Sequence, residues 1–324
     1  MDRLRAIEVF QRVAELGSFT AAARQLGLPR ASATVHVQAL EAHVGATLLH
    51  RTTRRVALTP EGALFYEESA RIVRELDELE QGLREASASP RGRLRIDAPA
   101  TSGHQILAPA LPSFLARYPG LVVELGSSDR LVDLRAEGID CVLRGGDVHD
   151  DTLVARQLGA LPVITCASPR YLAAHGRPSD PRALAGHLFV NYFSSKTGRV
   201  FEVDWQRGAE RVVARPPHVV AANDAETWIA LAVAGLGIVQ APCSRGLREH
   251  VARGELELLF ADWESEPLPA SVLYPRTLHV PARVRVFIDW VAELYREEMD
   301  AARAFVAEAR DRAGRHKVRR KRQP

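Results

Sequence analysis

Two groups of side chains near the start of the chain have the types and spacing to bind a polyanion. Residues 51–55 read RTTRR. Arg51, Arg54 and Arg55 supply positive charge, and Thr52 and Thr53 supply hydroxyls, both suited to phosphate oxygens. Residues 29–44 read PRASATVHVQALEAHV. At helical spacing Ala33, Val37, Leu40 and Val44 form an apolar stripe, and Arg30, Thr34, His36 and Gln38 lie opposite it. Arg30 has the geometry to take a guanine edge or clamp a phosphate, and Thr34 and His36 are further base-reading candidates. The competing explanation is a pair of packed enzyme helices with a solvated polar face.

Constellations for making or breaking bonds are missing. Eleven histidines show no HxxxH or HExxH spacing, so no metal site is expected. The cysteines, Cys141, Cys166 and Cys243, are far apart and odd in number, which excludes both a zinc signature and a disulfide framework. No GxSxG elbow occurs. Cys243, beside a proline, reads as a buried thiol rather than a nucleophile. Gly235-Leu236-Gly237 lacks the third glycine of a dinucleotide fingerprint and follows a helix rather than a strand. No catalytic residue, metal or cofactor is assigned, and the chain is not expected to be an enzyme.

The elements that must position the basic residues are helical. Asp2 caps a first helix over 2–15, with Leu4, Ile7, Phe10, Val13 and Ala14 inward. Ser18 is a good N-cap for a second helix, in which Ala21, Ala22 and Leu26 face inward. Gly27 then suits a left-handed turn, and Pro29 suits the first turn of a third helix. This is a helix-turn-helix, whose last helix can enter a DNA major groove. Thr59 and Pro60 start a long helix. In it Phe65, Ser69, Ile72, Leu76, Leu79 and Leu83 follow the a/d rhythm of a dimer seam. Packing on its own domain is the alternative. Its place between two domains, with little else to pack on, favours the seam.

Charge is distributed to match. The 324 residues allow two or three domains, and net charge is only +3. Residues 1–60 carry eight Arg against four Asp/Glu, while residues 61–86 carry three Arg against eight. Basic charge therefore sits where a nucleic acid would bind, followed by an acidic helix. Arg outnumbers Lys by 40 to 3, which a GC-rich genome explains. The cysteine usage points to a reducing cytosol. The N-terminus has no signal-peptide h-region, and no run of about 18 apolar residues would span a membrane.

Residues 86–92, ASASPRG, read as a hinge. Beyond it strands and helices alternate, which argues for a parallel α/β sheet. Strands are expected near 94–96, 121–125, 140–143, 162–166, 188–192, 200–204, 210–214, 237–241 and 270–274. Helices are expected at 104–117, 130–137, 225–234 and from 282. Ligands in open α/β folds bind beyond the carboxyl ends of strands, where helix N-termini favour anions. Thr101, Ser102 and Gly103 fit that position, as do Asn223 and Asp224; ordinary capping is the competing explanation. Arg144 could pair with a ligand carboxylate or with a nearby acid. The segment from Arg310 holds eight Lys/Arg and one Asp. It reads as a solvated tail that adds nonspecific phosphate attraction.

The N-terminal part resembles the winged helix-turn-helix of LysR-type transcriptional regulators. The resemblance is carried by Phe10, Gly17-Ser18-Phe19-Thr20-Ala21-Ala22, Leu26, Leu40-Glu41, Gly45, Leu48-Leu49, Arg51 and Leu58-Thr59-Pro60-Glu61-Gly62. It is specific over 1–65 and architectural beyond. It implies an α/β protein with an all-α winged helix-turn-helix N-terminal domain and a two-lobed periplasmic-binding-protein-like effector domain. The implied boundaries are 1–59 for the DNA-binding domain and 60–90 for a dimerisation helix and hinge. Lobe I would cover 91–161 and 267–300, lobe II 162–266, and a basic tail 301–324. The DNA-binding set is then completed by Ser18, Thr20, Ala31 and Val35, and the cleft set by Pro162, Asn191 and Ser194.

The implied partners are double-stranded DNA, a small-molecule effector with an acidic group, a second or further copy of the chain, and RNA polymerase. At four positions the chain departs from the family. Pro29 stands for the usual Ser, Arg30 for Gln, Thr34 for Ser and Val35 for a basic residue. These shift the expected DNA preference but not the fold. A solute-binding protein or enzyme with an unused helical cap is the rival reading.

Overall fold

The computed structural model of the chain describes residues 2–51, 56–84, 90–130, 132–147, 150–195, 197–276 and 280–320. For residues 51, 71, 74, 75, 77–84 and 316–320 only the backbone is described. The chain forms two compact units, Met1–Ala88 and Ser89–Pro324.

The first unit contains α1 (Arg3–Leu16), α2 (Phe19–Gln25), α3 (Arg30–Val44), β1 (Leu49–Arg51), β2 (Val56–Leu58) and α4 (Pro60–Arg84). Local chemistry explains its boundaries. Asp2 accepts the Arg5 amide at 3.1 Å and caps α1, and Ser18 accepts the Ala21 amide at 3.2 Å and caps α2. Gly27 adopts φ +64° in open space, so conformation rather than crowding selects glycine there. Ala6, Ile7, Val9, Phe10 and Val13 of α1 pack with Ala22, Ala33, Val37, Leu40, Leu48 and Leu49. Two expected inward residues are exposed instead. Leu4 lies at the open end of α1, where Ala6 and Val9 are buried instead, and Val44 lies in the last turn of α3, past the core.

The strands β1 and β2 pair antiparallel as a wing. Glu41 of α3 holds it by accepting the amides of Leu48 and Leu49 at 2.9 and 3.2 Å. Thr59 is the buried N-cap of α4, accepting from Gly62 at 2.8 Å and donating to the Thr47 carbonyl at 2.7 Å. A Cβ on Gly62 would lie 1.9 Å from the Leu48 carbonyl oxygen, so the wing and α4 can meet only at a glycine.

The second unit begins with β3 (Gly92–Ala98). A continuous helical run follows: α5 (Ala100–Ser102), a π-turn (Gly103–Leu107) and α6 (Ala108–Arg117). Next come β4 (Leu121–Ser127), β5 (Cys141–Gly145), β6 (Leu153–Leu161), β7 (Val163–Ala167), α7 (Pro169–His175) and β8 (Phe189–Tyr192). The remainder is β9 (Val203–Arg207), β10 (Glu210–Ala214), β11 (His218–Ala222), α8 (Ala225–Val233), β12 (Val239–Pro242), α9 (Arg245–Ala252), β13 (Glu257–Leu259), β14 (Leu268–Pro275) and α10 (Ala282–Arg320).

One lobe is built on a sheet of order β4-β3-β5-β14-β6. Strands β3, β4 and β5 are parallel, but β14 runs antiparallel to both β5 and β6, so the sheet is mixed rather than purely parallel. The returning chain enters the sheet from the opposite end, which reverses that strand. The other lobe joins β12-β7-β13 to the parallel pair β11-β8 through a Phe189–Ile238 bridge, with a β9–β10 hairpin beside them. Leu94, Ile96, Phe114, Val272, Phe287 and Val291 centre the first core; Cys166, Val190, Ile229, Val239 and Leu247 centre the second.

Two expectations fail locally. Among the described residues of 130–137 there is no helix. Asp133 accepts the amides of Arg135 and Ala136 at 3.0 Å, and Gly138 at φ +63° closes a single turn. No tail separates at residue 301, because α10 runs unbroken to Arg320. Ala302 is fully buried and Phe305 and Val306 pack on the second lobe's core, so apolar burial carries the helix past the expected boundary.

Candidate DNA-reading surface and inter-lobe cleft

The α3 helix presents two unlike faces. Ala33, Val37 and Leu40 are buried in the head, whereas Arg30, Ala31, Val35 and Gln38 are exposed and Thr34 and His36 half-exposed. Pro29 is the N-cap and offers no side-chain bond, so Pro29 precedes the helix instead of starting it. The first amides of α3 are thus uncapped by any side chain and point outward with the positive end of the helix dipole. Val35 is 62% exposed, an apolar tip among polar neighbours. Thr20 of α2 is exposed too, while Ser18 is committed to its cap. Arg51 ends β1, and Thr52, Thr53, Arg54 and Arg55 lie outside the described residues.

On α4 the expected seam divides. Phe65 packs edge-on against Phe10 with ring centroids 5.6 Å apart, and buried Ser69 accepts a bond from Gln11 at 3.0 Å. These two positions belong to the head's own core, because α1 crosses α4 there. Ile72 is 49% exposed and Leu76 half-buried; they lie seven residues beyond Phe65 and Ser69 on the same face, past the stretch that α1 covers, and Leu64 on a neighbouring face is 66% exposed. The side chains of Leu79 and Leu83 lie outside the described residues.

Several residues of the expected cleft set are engaged within the fold. Ser102 accepts a bond from the buried Tyr295 of α10 at 2.7 Å and faces inward. Gly103 is there for close approach, since a Cβ would lie 2.5 Å from the Ser127 hydroxyl. Arg144 is bound to Asp97 at 2.8 Å and to the carbonyls of Leu143 and Arg130, with only 11% of its side chain exposed. The nearby acid is its partner. Ser194 closes a turn, its carbonyl accepting from Gly198 and its hydroxyl from Thr197. The Pro162 carbonyl accepts the Cys243 amide at 2.8 Å where the chain passes between lobes, and Asn191 is buried on β8. Asp224, not Asn223, caps α8, accepting the Thr227 amide at 2.7 Å; Asn223 bonds to Ser195 at 3.2 Å. Thr101 remains half-buried at the start of the helical run.

The residue that joins the lobes is one the sequence reading passed over. Asp129, just after β4, accepts the Ala100 amide at 3.3 Å on one oxygen and the Ala225 amide at 2.9 Å on the other. Ala100 and Ala225 are the first residues of the helical runs that face each other across the cleft. Burial raises the Asp129 pKa and Asp224 raises it further, while the two amides oppose them. Tyr192 donates to the Asn223 carbonyl at 2.9 Å. Burial, with the charges of Asp129 and Asp224, pushes its phenol above the ordinary range. A second bridge is Gln105, which donates to Glu226 and accepts the Gly246 amide, both at 2.8 Å. The signal available in the sequence was Ser128-Asp129-Arg130, a polar run beyond the carboxyl end of a strand.

Comparison with known proteins places both units. Residues 4–63 match the bacterial regulatory helix-turn-helix of the lysR family, and residues 87–296 match the LysR substrate binding domain. An HTH-type transcriptional repressor of Pseudomonas aeruginosa is 37% identical, over 92% of this chain and 93% of its own. The HTH-type transcriptional activator AaeR of Escherichia coli is 35% identical, over 92% and 95%. CrgA, a LysR-type regulator of Neisseria meningitidis, superposes with a TM-score of 0.56 at 31% identity, covering 90% of this chain and 98% of that one. The full-length Vibrio cholerae virulence activator AphB gives 0.56 at 29% identity, covering 89% and 98%. With both halves matched in order and relatives aligned along nearly their whole length, the chain belongs to the LysR-type transcriptional regulators, a helix-turn-helix DNA-binding domain followed by a substrate-binding domain.

Proposed function

We propose that α3 reads the major groove of double-stranded DNA and that a small molecule in the inter-lobe cleft controls the outcome. The observation that carries the first part is the division of α3. Its apolar stripe is used up in the head's core, and the opposite face stays exposed with Arg30, Ala31, Thr34, Val35, His36 and Gln38 on or beside it. Arg30 takes a guanine edge, Ala31 and Val35 meet thymine methyls, and Thr34 and His36 bond further base edges. Thr20 and the arginines of the wing hold the phosphates. On its specific site Arg30→Ala costs roughly 1–3 kcal/mol if the contact is to guanine. An equal loss on random DNA assigns Arg30 to phosphate instead.

Two copies pair along α4 through Ile72 and Leu76, with Leu79 and Leu83 extending the line, so that two heads address two half-sites. The assembly works in the cytoplasm as a dimer or tetramer and acts through RNA polymerase. The effector shifts the balance between two lobe arrangements, and does so only by binding one better than the other.

The test is selection of bound fragments from the source genome by the purified protein at moderate salt, without and with candidate metabolites. Enrichment of an interrupted palindrome is expected, with occupancy that one metabolite changes. A folded protein that enriches nothing under either condition overturns the reading.

A further inference from the structure

We propose that the distal part of α10, from Arg312 onward, is a second contact for duplex DNA, one that grips the phosphate backbone without regard to base sequence. The inference is independent of which face of α3 reads bases and of what occupies the cleft.

The first observation is a helix that outruns its anchors. Ala302, Phe305 and Val306 are the last residues of α10 in the second lobe's core. Just beyond them Arg310 pairs with Glu264 of that lobe at 2.8 Å. The backbone stays helical to Arg320, about 15 Å further on. Asp311, Arg312, Gly314 and Arg315 are exposed. Between Asp311 and Arg322 the only apolar side chains are Ala313 and Val318, so the sequence holds little for the lobe to bury there.

The second observation is charge without compensation. Residues 312–324 hold seven Lys/Arg and no Asp or Glu. Arg312 is held by Glu308, one turn back, at 2.6 Å. Even with Asp311 counted against Arg315, the five cations from Lys317 on have no acid one turn away in either direction. Arg315 and Arg319 stand four residues apart, and Lys317 and Arg320 three apart. At those spacings like charges on a helix repel each other. A polyanion relieves that repulsion. The helix dipole favours cations only in its last turn, which leaves Arg315 outside its reach.

The third observation selects the polyanion. A helix that lies on a lipid surface needs an apolar face as well as a basic one. Ala313 and Val318, five residues apart, do not make one. Duplex DNA asks only for charge. The helix-turn-helix of the same chain also brings DNA to the molecule, which raises its local concentration at a second contact. Arg312, Arg315 and Arg319 fall on one face at helical spacing. They span about 10 Å, the length of roughly three phosphates along one strand.

The experiment measures binding of the full-length chain to a random-sequence duplex as salt is varied, so that base reading drops out. The variant carrying Arg315→Gln, Lys317→Gln, Arg319→Gln and Arg320→Gln keeps good helix formers and loses four charges. Its slope of log affinity against log salt is expected to be flatter than the wild type's by roughly three to four. The variant carrying Arg315→Lys, Arg319→Lys and Arg320→Lys is expected to keep the wild-type slope. A Gln variant with the wild-type slope, or a Lys variant that loses it, overturns the proposal. A measurement on the wild type needs no variant to fold. Hydrogen exchange over residues 311–320 is expected to slow when the duplex is added, and to slow more than with phosphatidylserine vesicles at equal phosphate concentration. No slowing by the duplex, or stronger slowing by the vesicles, also overturns the proposal.

Discussion

Arg144 has the charge to hold an acid, and the fold has spent it on Asp97. Both side chains are nearly buried. Removing one member of such a pair strands the other charge, at roughly 3–5 kcal/mol. Arg144→Ala is therefore expected to lower the unfolding free energy by that amount, read as a fall in the urea midpoint at unchanged slope. A variant as stable as the wild type, but blind to the effector, would return Arg144 to the ligand. The contrast shows what single residues disclose in a sequence. Caps are legible because donor and acceptor lie three residues apart, as at Asp2, Ser18 and Thr59. Asp97 lies 47 residues from Arg144 and Tyr295 lies 193 from Ser102, and nothing local announces either partner. Asp129 was missed for the same reason, since one of its two amides is 96 residues away.

At the scale of elements, periodicity shows that a stripe will be covered but not by what. The α4 stripe was read as one seam, yet α1 takes Phe65 and Ser69 and leaves Ile72 and Leu76. Leu76→Glu is expected to give monomers in sedimentation velocity at micromolar concentration with the head still folded by circular dichroism. A dimer that survives it places the pairing elsewhere. Strand β6 escaped because LVARQLGAL does not alternate, and its inner residues face α10 instead of a simple core. Gly159, at φ +131°, comes so close to Met299 that a Cβ would sit 2.3 Å from its sulfur.

The contacts of α10 and its neighbours also set an alkaline limit. Burial pushes the Cys243 thiol up to about 11 and the Tyr295 phenol up to about 12. Folded pKa values above the unfolded ones mean that this stability is complete below the unfolded values and is lost as pH rises through the folded ones. Melting temperature is expected to fall from about pH 9 upward, as unfolding free energy drops by as much as ~1.4 kcal/mol per pH unit for each group. Tyr295→Phe flattens the upper part of that profile; an unchanged profile sinks the assignment.

Across the whole molecule the fold class was legible, since head pattern and α/β alternation are repeated signals, whereas the mixed sheet was not. Charge tells more at this scale. Residues from 310 onward carry eight Lys/Arg and one Asp, so the remainder of a chain of net +3 is negative by four. Any attraction for DNA beyond the head would then come from this end of α10 and the residues after it. Ending the chain after Ala309 is expected to flatten the dependence of log affinity on log salt by up to roughly six, the counterions that seven net charges release. Preference between specific and random DNA should persist. An unaltered slope means that the segment stays away from the duplex.

The same helix bears on how far the lobes can move. Phe287, Trp290, Val291 and Tyr295 anchor its first half in one lobe's core, and Ala302, Phe305 and Val306 anchor its continuation in the other. Between them buried Glu298 is clamped by Arg248 of α9 at 2.9 Å. An unbroken α-helix bends little and stretches less. Lobes riveted to one rod cannot swing apart like a hinged shell; they can only twist about it. On the proposed reading of the cleft, an effector would turn one lobe against the other rather than open them.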